Sequence, residues 1–280
     1  MKFCIERHFL AMAVATAAAM GVATAADMSV KAPIAPPAVF SWDGFYVGAN
    51  LGGAFETSNV NSSLNPLAAL PGSLPIFSLA PNVGVVGGLG TGGLNSSGAV
   101  TGGVQVGYNR QIAPWALIGI EGDFSGLSSK ATLMGNGVAV AGAQAGRAIS
   151  LVSSIDVREL STIRGRLGYV VDHLLIYGTG GVAFTNIQFA QSYADQLVPP
   201  GIGASSTSNE RTGWTIGAGA EYALLGHWSV KAEYIFAKFP GVTTQTLLCA
   251  GSCAALSENL TGASGDVNLH VVRLGLNYRF

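Results

Sequence analysis

Charged residues in this chain recur at every second position, as in Glu121 with Asp123 and Arg164 with Arg166. Successive side chains of a β-strand point to opposite faces, so two charges separated by one residue lie on the same face. Such charges must pair when they leave water, because breaking a buried ion pair costs about 3–5 kcal/mol. The pattern therefore predicts an ion-pair network inside a β-structure. Its nine members are Glu121, Asp123, Arg164, Arg166, Glu221, Lys231, Glu233, Arg273 and Arg279.

The histidines and serines of this chain form no convincing catalytic arrangement in the sequence. A hydrolase needs a nucleophile, a base and an orienting acid brought together. His173 and His227 fall in short predicted turns, whereas His270 approaches the opposite end of its predicted strand, where Ser264 is a candidate partner. Serine is common in this sequence, so the coincidence carries little weight. The sequence predicts no enzyme, no catalytic residue, no metal site and no cofactor.

Two cysteines lie close together late in the chain, in the run Cys249-Ala-Gly-Ser-Cys253. A pair this close in an exported protein is typical of a small loop disulfide. A metal site would need further thiol or imidazole ligands, and none lies nearby in the sequence. We therefore predict a disulfide between Cys249 and Cys253.

The last fourteen residues, 267–280, show the kind of element that must position the charges. Val272 and Leu274 share one parity with the apolar residues that follow them, and Arg273 and Arg279 share the other. This alternation predicts a strand with one face against lipid and the other against a polar interior. An edge strand of a soluble sandwich is the alternative that this segment alone leaves open.

Seven earlier segments alternate in the same way. The fifth is the least clear, because its glycines blur the two rows; there we expect Ile176 and Val182 to point outward and Tyr177 and Thr179 inward. Together the eight segments predict an antiparallel all-β structure. They cover residues 45–55, 100–109, 116–124, 162–169, 174–184, 214–222, 228–236 and 267–280.

The connections between these segments alternate between long and short. Outer-membrane barrels have this asymmetry, with short periplasmic turns and long external loops, whereas a soluble sandwich has no reason for it. We predict that the long connections are extracellular loops that can contact host or surface ligands. The long connections are 56–98, 126–156, 187–211 and 240–265, and the short ones are 110–114, 171–173 and 224–227.

Composition points to the same architecture. About half of the residues are apolar and a tenth are charged, yet no run of 18 apolar residues follows the N-terminal region. Without spanning helices, a membrane protein satisfies its backbone groups in a closed barrel. A net charge of −1 argues against nucleic acid, which needs a concentrated basic face. The fold predicted is an eight-stranded antiparallel transmembrane β-barrel.

The interior of an eight-stranded barrel is about wide enough for side chains alone. That width favours a filled interior, in which the ion pairs fix the register of the strands. The alternative is a polar lining that passes small solutes or ions. The residues leave both open, and we give the filled interior first place.

The N-terminus predicts export. Lys2 and Arg7 precede an apolar, alanine-rich stretch, and Ala-Thr-Ala at 23–25 is a typical cleavage site for a secretory signal. The next seventeen residues contain three prolines, which favour an extended spacer on the periplasmic side. The predicted boundaries are 1–25 for the signal peptide, 26–42 for the proline-rich leader and 43–280 for the barrel.

Taken together, several short motifs resemble one family over nearly the full length. That family is the small outer-membrane β-barrel proteins of alphaproteobacteria, labelled outer membrane immunogenic or porin-family proteins, within the wider OmpA-like barrel group. The motifs are Ala26-Asp27, Trp42-Asp-Gly-Phe-Tyr-Val-Gly48, Gly107-Tyr-Asn109, Tyr177-Gly-Thr-Gly-Gly181, Gly217-Ala-Gly-Ala-Glu-Tyr222 and Tyr278-Arg-Phe280.

The resemblance implies a Gram-negative outer-membrane surface antigen that supports envelope integrity and host contact, with haem binding as a weaker possibility. It carries over no catalytic residue. It also implies that the terminal aromatics, Tyr278 and Phe280, are read by the outer-membrane assembly machinery. Outer-membrane lipid and that machinery are the expected partners.

Overall fold

All described residues of the computed structural model belong to one compact unit, Phe40–Phe280. The predicted signal peptide and residues 26–40 of the predicted leader lie outside the described part. No helix within that part has the length and apolar character of a membrane span. The described residues are 41–66, 85–86, 92–96, 98–139, 146–196, 200–250 and 257–280.

The described chain folds into twelve β-strands. Eight are long and correspond to the eight predicted segments, and four are short and lie within the predicted long connections. The strands are β1 Gly44–Pro66, β2 Val85–Val86, β3 Gly92–Asn95, β4 Ala99–Ala113, β5 Ala116–Ala139, β6 Ala148–Val171, β7 Leu174–Asp195, β8 Gly201–Ala223, β9 Trp228–Phe239, β10 Thr243–Ala250, β11 Ser257–Ser264 and β12 Val267–Arg279.

The eight long strands close into an antiparallel ring, in the order β1, β4, β5, β6, β7, β8, β9, β12 and back to β1. The closing pair aligns the first strand with the last, so that Tyr46 lies opposite Arg279 and Leu51 opposite Leu274. This ring confirms the predicted eight-stranded barrel. Full closure leaves no open strand edge in the membrane, where an unpaired backbone group is costly.

Three tight turns join strands at one end of the ring, as predicted. They lie between β5 and its neighbour β4, between β6 and β7, and between β8 and β9. Asp172 in the second turn has a φ of 51°, and Gly226 in the third has a φ of 71°. Asp and Gly tolerate this left-handed backbone, which tight hairpin turns require.

Side chains alternate between lipid and interior as the sequence predicts. Leu274 and Leu51 on the outer face are 67% and 65% exposed, whereas inward Arg273 and Asn50 are buried. The prediction for β7, where the alternation is least clear, is confirmed as well. Ile176 and Val182 are exposed, and Tyr177 and Thr179 are buried. The outer face therefore presents an apolar band to the membrane.

Aromatic rings border this band at both ends. Trp115 and Trp228 lie near the short turns, and Trp228 packs edge-on against Tyr278 with ring centroids 5.0 Å apart. At the opposite end Trp214 packs against Phe236, with ring centroids 5.4 Å apart. Amphipathic rings at two interfaces mark the limits of the membrane-spanning segments.

The four predicted long connections contain more strand than the sequence indicated, because the ring strands continue above the band. β5 and β6 each have 24 residues, and β7 has 22, whereas about 9–11 residues span a membrane. The described parts of these connections keep period-two alternation, with apolar residues inward and small polar residues outward, so they extend the sheet. We call this part the extension.

The wall of the extension uses different strands on one side. β9 ends at Phe239 and β12 begins at Val267, so neither strand enters the extension. There the hairpin of β10 and β11 takes their place in the wall, between β1 and β8. β-bulges between Gly126 and Ser129 on β5, and between Val157 and Ser161 on β6, mark the transition to the extension. Bulges increase the local twist and bend of a strand, which suits a change in the shape of the wall.

Candidate functional site

The interior of the barrel at the level of the membrane is the candidate site, because it concentrates the charged residues. Each charge lies at an inward position of a long strand. β5 supplies Glu121 and Asp123, β6 supplies Arg164 and Arg166, and β12 supplies Arg273. β8 and β9 contribute the remaining carboxylates and the lysine, so five of the eight ring strands supply charges to the lumen.

Glu121 lies at the centre of this network. Its carboxylate accepts from Arg164 Nη2 at 2.5 Å and from Lys231 Nζ, which is 3.0 Å from each oxygen. The Tyr46 hydroxyl donates to Oε2 at 2.6 Å. Arg273 Nη2 adds a longer ionic contact at 3.6 Å. One carboxylate on β5 thus contacts side chains from four other strands.

Two further carboxylates share the same cations. Arg164 Nη1 donates to Glu233 Oε1 at 2.6 Å, and its Nη2 lies 3.0 Å from Asp123 Oδ2. Arg273 donates to Asp123 Oδ1 and to Glu233 Oε2, each at 2.9 Å. Lys231 Nζ lies 3.4 Å from Glu233. Each of these three cations therefore bridges at least two carboxylates.

Arg166 extends the network toward the short turns. Its guanidinium contacts the Glu221 carboxylate and lies 4.0 Å from Glu121 Oε2. The same guanidinium stacks over the Tyr177 ring, with 3.7 Å between Cζ and the ring centroid. Asn277 and Ser229 donate to the other oxygen of Glu221.

The structure brings eight of the nine predicted residues together, four acids and four bases that compensate in charge. A buried network of this kind needs nearly every charge paired and hydrogen-bonded, because desolvation otherwise exceeds the Coulombic gain. The ninth, Arg279, lies nearer the periplasmic mouth, with its guanidinium 5.1 Å from the Trp42 ring centroid. We name the eight residues the charged layer: Glu121, Asp123, Arg164, Arg166, Glu221, Lys231, Glu233 and Arg273.

Trp42 closes the barrel below the charged layer. This residue precedes β1 and is completely buried, in a cluster with Leu117, Val170, Leu175 and other inward side chains near the short turns. Its backbone amide donates to the Gln111 side chain. Sequence reasoning assigned Trp42 to the extended leader; the neighbouring prolines favoured that choice, and an isolated tryptophan carries no periodic signal.

A large apolar cluster fills the barrel above the charged layer. It contains eighteen buried residues of the described chain, on six of the ring strands and on the segments beside them. Phe189 and Phe239 are the largest members. The interior thus has three successive layers: Trp42 with its apolar contacts, the charged layer, and this upper apolar layer.

Glu56 is an ionisable side chain at the base of the upper apolar layer, one position beyond the outer aromatic Phe55. It is 1% exposed, and both carboxylate oxygens lack a hydrogen-bond partner among the described residues. Burial raises the pKa of Glu56 to about 7; Ser129 lowers this pKa by a smaller amount, and the negative charge of Asp156 raises it. The folded extension therefore favours the neutral carboxylic acid.

We expect the stability of the protein to fall as pH rises from 5 to 8, because of Glu56. The pKa of Glu56 is higher in the folded protein than in the unfolded chain. The contribution of neutral Glu56 to stability is therefore complete below the ordinary pKa of 4.5 and disappears as pH rises past 7. The loss should approach about 3 kcal/mol. Urea unfolding in lipid vesicles at several pH values measures it.

Glu56→Gln keeps the shape of the side chain and removes its ionisation, so this variant should lose most of that pH dependence. Glu210→Gln, at an exposed position of β8, is the matched control and should behave like the unsubstituted protein. Equal pH profiles for Glu56→Gln and the unsubstituted protein would contradict the assignment.

The candidate catalytic pair does not come together. His270 accepts from or donates to the Tyr234 hydroxyl through Nδ1, at 2.7 Å, on the outer face of β12. Ser264 is buried on the inner side of β11, where its hydroxyl accepts from the Val242 amide at 2.8 Å. Among the described residues, no group of three His, Cys, Asp or Glu side chains is placed to hold a metal ion.

Two further predictions concern the cysteine pair and the terminal aromatics. The side chain of Cys249 and all of Cys253 lie outside the described part of the chain, so their disulfide stays a prediction. Tyr278 and Phe280 end the closing strand on its outer face, with ring centroids 5.3 Å apart, and the Phe280 amide donates to the Phe45 carbonyl at 3.0 Å. Their role as an assembly signal also stays a prediction.

A closed antiparallel ring, with an apolar outer band between two aromatic belts and a polar interior, defines the class of outer-membrane β-barrels. The chain belongs to the outer membrane protein β-barrel domain family, whose model matches residues 12–280. This family membership places the protein in the cell outer membrane of a Gram-negative bacterium and confirms the resemblance noted in the sequence.

Similar proteins are also named as outer-membrane proteins. The chain is 33% identical over 264 residues to the 31 kDa outer-membrane immunogenic proteins of Brucella melitensis and Brucella suis, which covers 91% of this chain and 92% of each relative. A 22 kDa outer membrane protein of Rhizobium leguminosarum is 27% identical over 78 residues, 28% of this chain and 32% of that protein.

Solved structures similar to this chain include two outer-membrane proteins. The outer membrane protease OmpT of Escherichia coli aligns with a TM-score of 0.41 at 12% identity, over 85% of this chain and 97% of that one. Ail, the attachment invasion locus protein of Yersinia pestis, aligns with a TM-score of 0.34 at 11% identity, over 85% of this chain and 100% of that one.

Proposed function

We propose that the protein is a non-enzymatic, closed outer-membrane barrel that supports the envelope and presents its extension as an interaction surface. The observation that carries this proposal is the filled interior. Trp42, the charged layer and the upper apolar layer succeed one another along the lumen and involve side chains from seven of the eight long strands. The immunogenic relatives are consistent with an extension exposed outside the cell.

The alternative function, passage of small solutes or ions, is opposed by the same geometry. A channel needs a continuous polar path, and here an apolar layer lies on each side of the charged one. Within the charged layer, each cation directly contacts at least one carboxylate, and the side chains are fully buried or nearly so. Eight strands leave little space beyond these side chains.

We expect the purified mature protein to produce no reproducible open steps in planar bilayers. A matched control carries one truncation in each interior layer, Trp42→Ala, Arg273→Ala and Phe239→Ala, and should conduct if it folds. Heat-dependent mobility on gels verifies folding of both proteins. The measurement is single-channel current at fixed voltage in potassium chloride.

Reproducible steps from the unsubstituted protein would overturn the closed barrel in favour of a channel. In that case Arg273→Ala alone should change the ion selectivity, because Arg273 would line the path. A selectivity unaffected by Arg273→Ala would place the path outside the charged layer.

A further inference from the structure

The outer face of β6, β7 and β8 above the membrane carries two cavities, one directly above the other. The lower one, of about 360 Å³, borders the outer aromatic belt and is lined by Ser161, Phe184, two threonines, two glutamates and Arg211. The upper one, of about 410 Å³, lies farther from the membrane, and Ser154, Ala190 and Ser206 line its centre. We call this strip of the three strands the outer track.

Strand register shows that the outer track follows the direction of β7. Ser161, Phe184 and Thr212 are direct cross-strand neighbours at its lower end. Val152, Ser192 and Ala204 form the corresponding row at its upper end. Eight residues on β7 separate the two rows, which corresponds to about 27 Å along the strand.

Polar side chains connect the two cavities. Arg158 donates to the Gln188 amide oxygen at 3.1 Å, and the Gln188 amide nitrogen donates to Ser206 at 2.9 Å. Ser208 donates to Asn186 at 2.7 Å beside them. The strip between the cavities therefore presents hydroxyl and amide groups, together with the ion pair of Arg158 and Asp156, rather than apolar rings.

The chemistry of the outer track suits an uncharged, hydroxyl-rich ligand. Hydroxyl, amide and carboxylate groups hydrogen-bond sugar hydroxyls, and alanine positions leave room for the rings. Glu159 and Glu210 outnumber Arg211, the cation at the lower cavity, so the net negative charge of this lining opposes a phosphate or another anion. Phe184 offers an aromatic face at the same point, where the track meets the membrane.

The position of the outer track indicates which glycan is the occupant. The outward residues of the outer track follow lipid-facing residues on the same strand. On β7, for example, outward Val182 and Phe184 precede Asn186 and Gln188. A lipid whose acyl chains lie against the apolar band therefore has its headgroup against the lower cavity. A glycan attached to that headgroup would continue along the strands to the upper cavity.

We propose that the outer track binds the uncharged glycan chain of a glycolipid in the outer leaflet. The inference rests on the surface-interaction role proposed above and names its partner. Because the conductance experiment does not involve this surface, failure of glycan binding leaves the closed barrel intact, and open channels would leave glycan binding intact.

The test uses the full mature protein in detergent micelles and three probes. These are lipopolysaccharide with a long uncharged polysaccharide chain, the same polysaccharide released from its lipid, and lipid A alone. We expect the intact glycolipid to bind most tightly, since lipid and glycan engage adjoining surfaces, and the released glycan to bind more weakly. Lipid A should bind at least tenfold more weakly than the intact glycolipid.

Two variants fill the upper cavity, Ala190→Trp and Ala204→Trp, and each should weaken binding of the intact glycolipid at least tenfold. Asn61→Trp, at an exposed position of β1 in a different part of the extension, is the control and should change affinity less than twofold. Ala204 and Asn61 are both exposed, so neither substitution should prevent folding, which gel mobility verifies.

Glu210→Lys separates glycan from anion recognition. For an uncharged glycan this substitution should leave affinity unchanged or reduce it, whereas a phosphate-bearing headgroup should bind more tightly. Equal affinity for lipid A and for the intact glycolipid, tighter binding by Glu210→Lys, or insensitivity to Ala204→Trp would each overturn the proposal, as would an absence of binding.

Discussion

Replacing Arg164 by methionine should destabilise the barrel by about 3–5 kcal/mol. The substitution keeps most of the side-chain volume and removes the cation that contacts Glu121, Asp123 and Glu233. Lys231 and Arg273 remain, so one negative charge in the charged layer loses its compensation. An uncompensated buried charge costs far more than the net contribution of the intact network.

Urea unfolding in lipid vesicles, followed by tryptophan fluorescence, measures the effect. Arg158→Met is the matched control on the same strand, because the Arg158 side chain is 68% exposed and pairs with Asp156 in water. Its loss should be below about 1 kcal/mol. Losses of equal size for the two variants would contradict a stabilising role for the charged layer.

A second substitution sharpens this test. Combining Arg164→Met with Glu233→Gln removes one charge of each sign from contacting groups, which are 2.6 Å apart. We expect the double variant to lose less stability than the sum of the two single variants, because balance of charge is restored. Additive losses would indicate that Arg164 and Glu233 act independently.

Alternation was enough to predict the membrane-level wall and most of the charged layer from the sequence. Parity on adjacent strands places Glu121 and Arg164 inward, and closure of the ring then brings opposite charges within reach. The individual partners were not predictable. They depend on the register between strands, such as Glu121 lying opposite Arg164 on β6, which no single strand encodes.

Above the membrane the sequence was less informative, because the outward residues there are polar. The band has a strong contrast between apolar and polar rows, whereas outward Ser154 and Gln188 resemble loop residues. Their inward neighbours Ile155 and Phe189 pack in the upper apolar layer, and that burial extends the strands. The alternation on β1 predicts that Glu56 points inward. The lack of hydrogen-bond partners for its carboxylate among the described residues depends on which strands surround it, and the sequence does not show that.

An arginine placed on the lipid-facing side should be almost as costly as one lost from the interior. Leu274 is 67% exposed at the middle of β12 and faces hydrocarbon. Leu274→Arg should destabilise the barrel by about 2–4 kcal/mol, because a charge at mid-depth must leave water without a partner. The measurement is the free energy of unfolding in lipid vesicles.

Leu225→Arg is the matched control, since Leu225 is 94% exposed in the short turn between β8 and β9. A charge there stays in water, so the loss should be below about 1 kcal/mol. In detergent of short chain length the cost of Leu274→Arg should shrink, because water reaches the band more easily. A cost that is the same at both positions would mean that β12 does not face lipid. It would also contradict the assignment of Arg273 to the interior, because adjacent residues of one strand point to opposite faces.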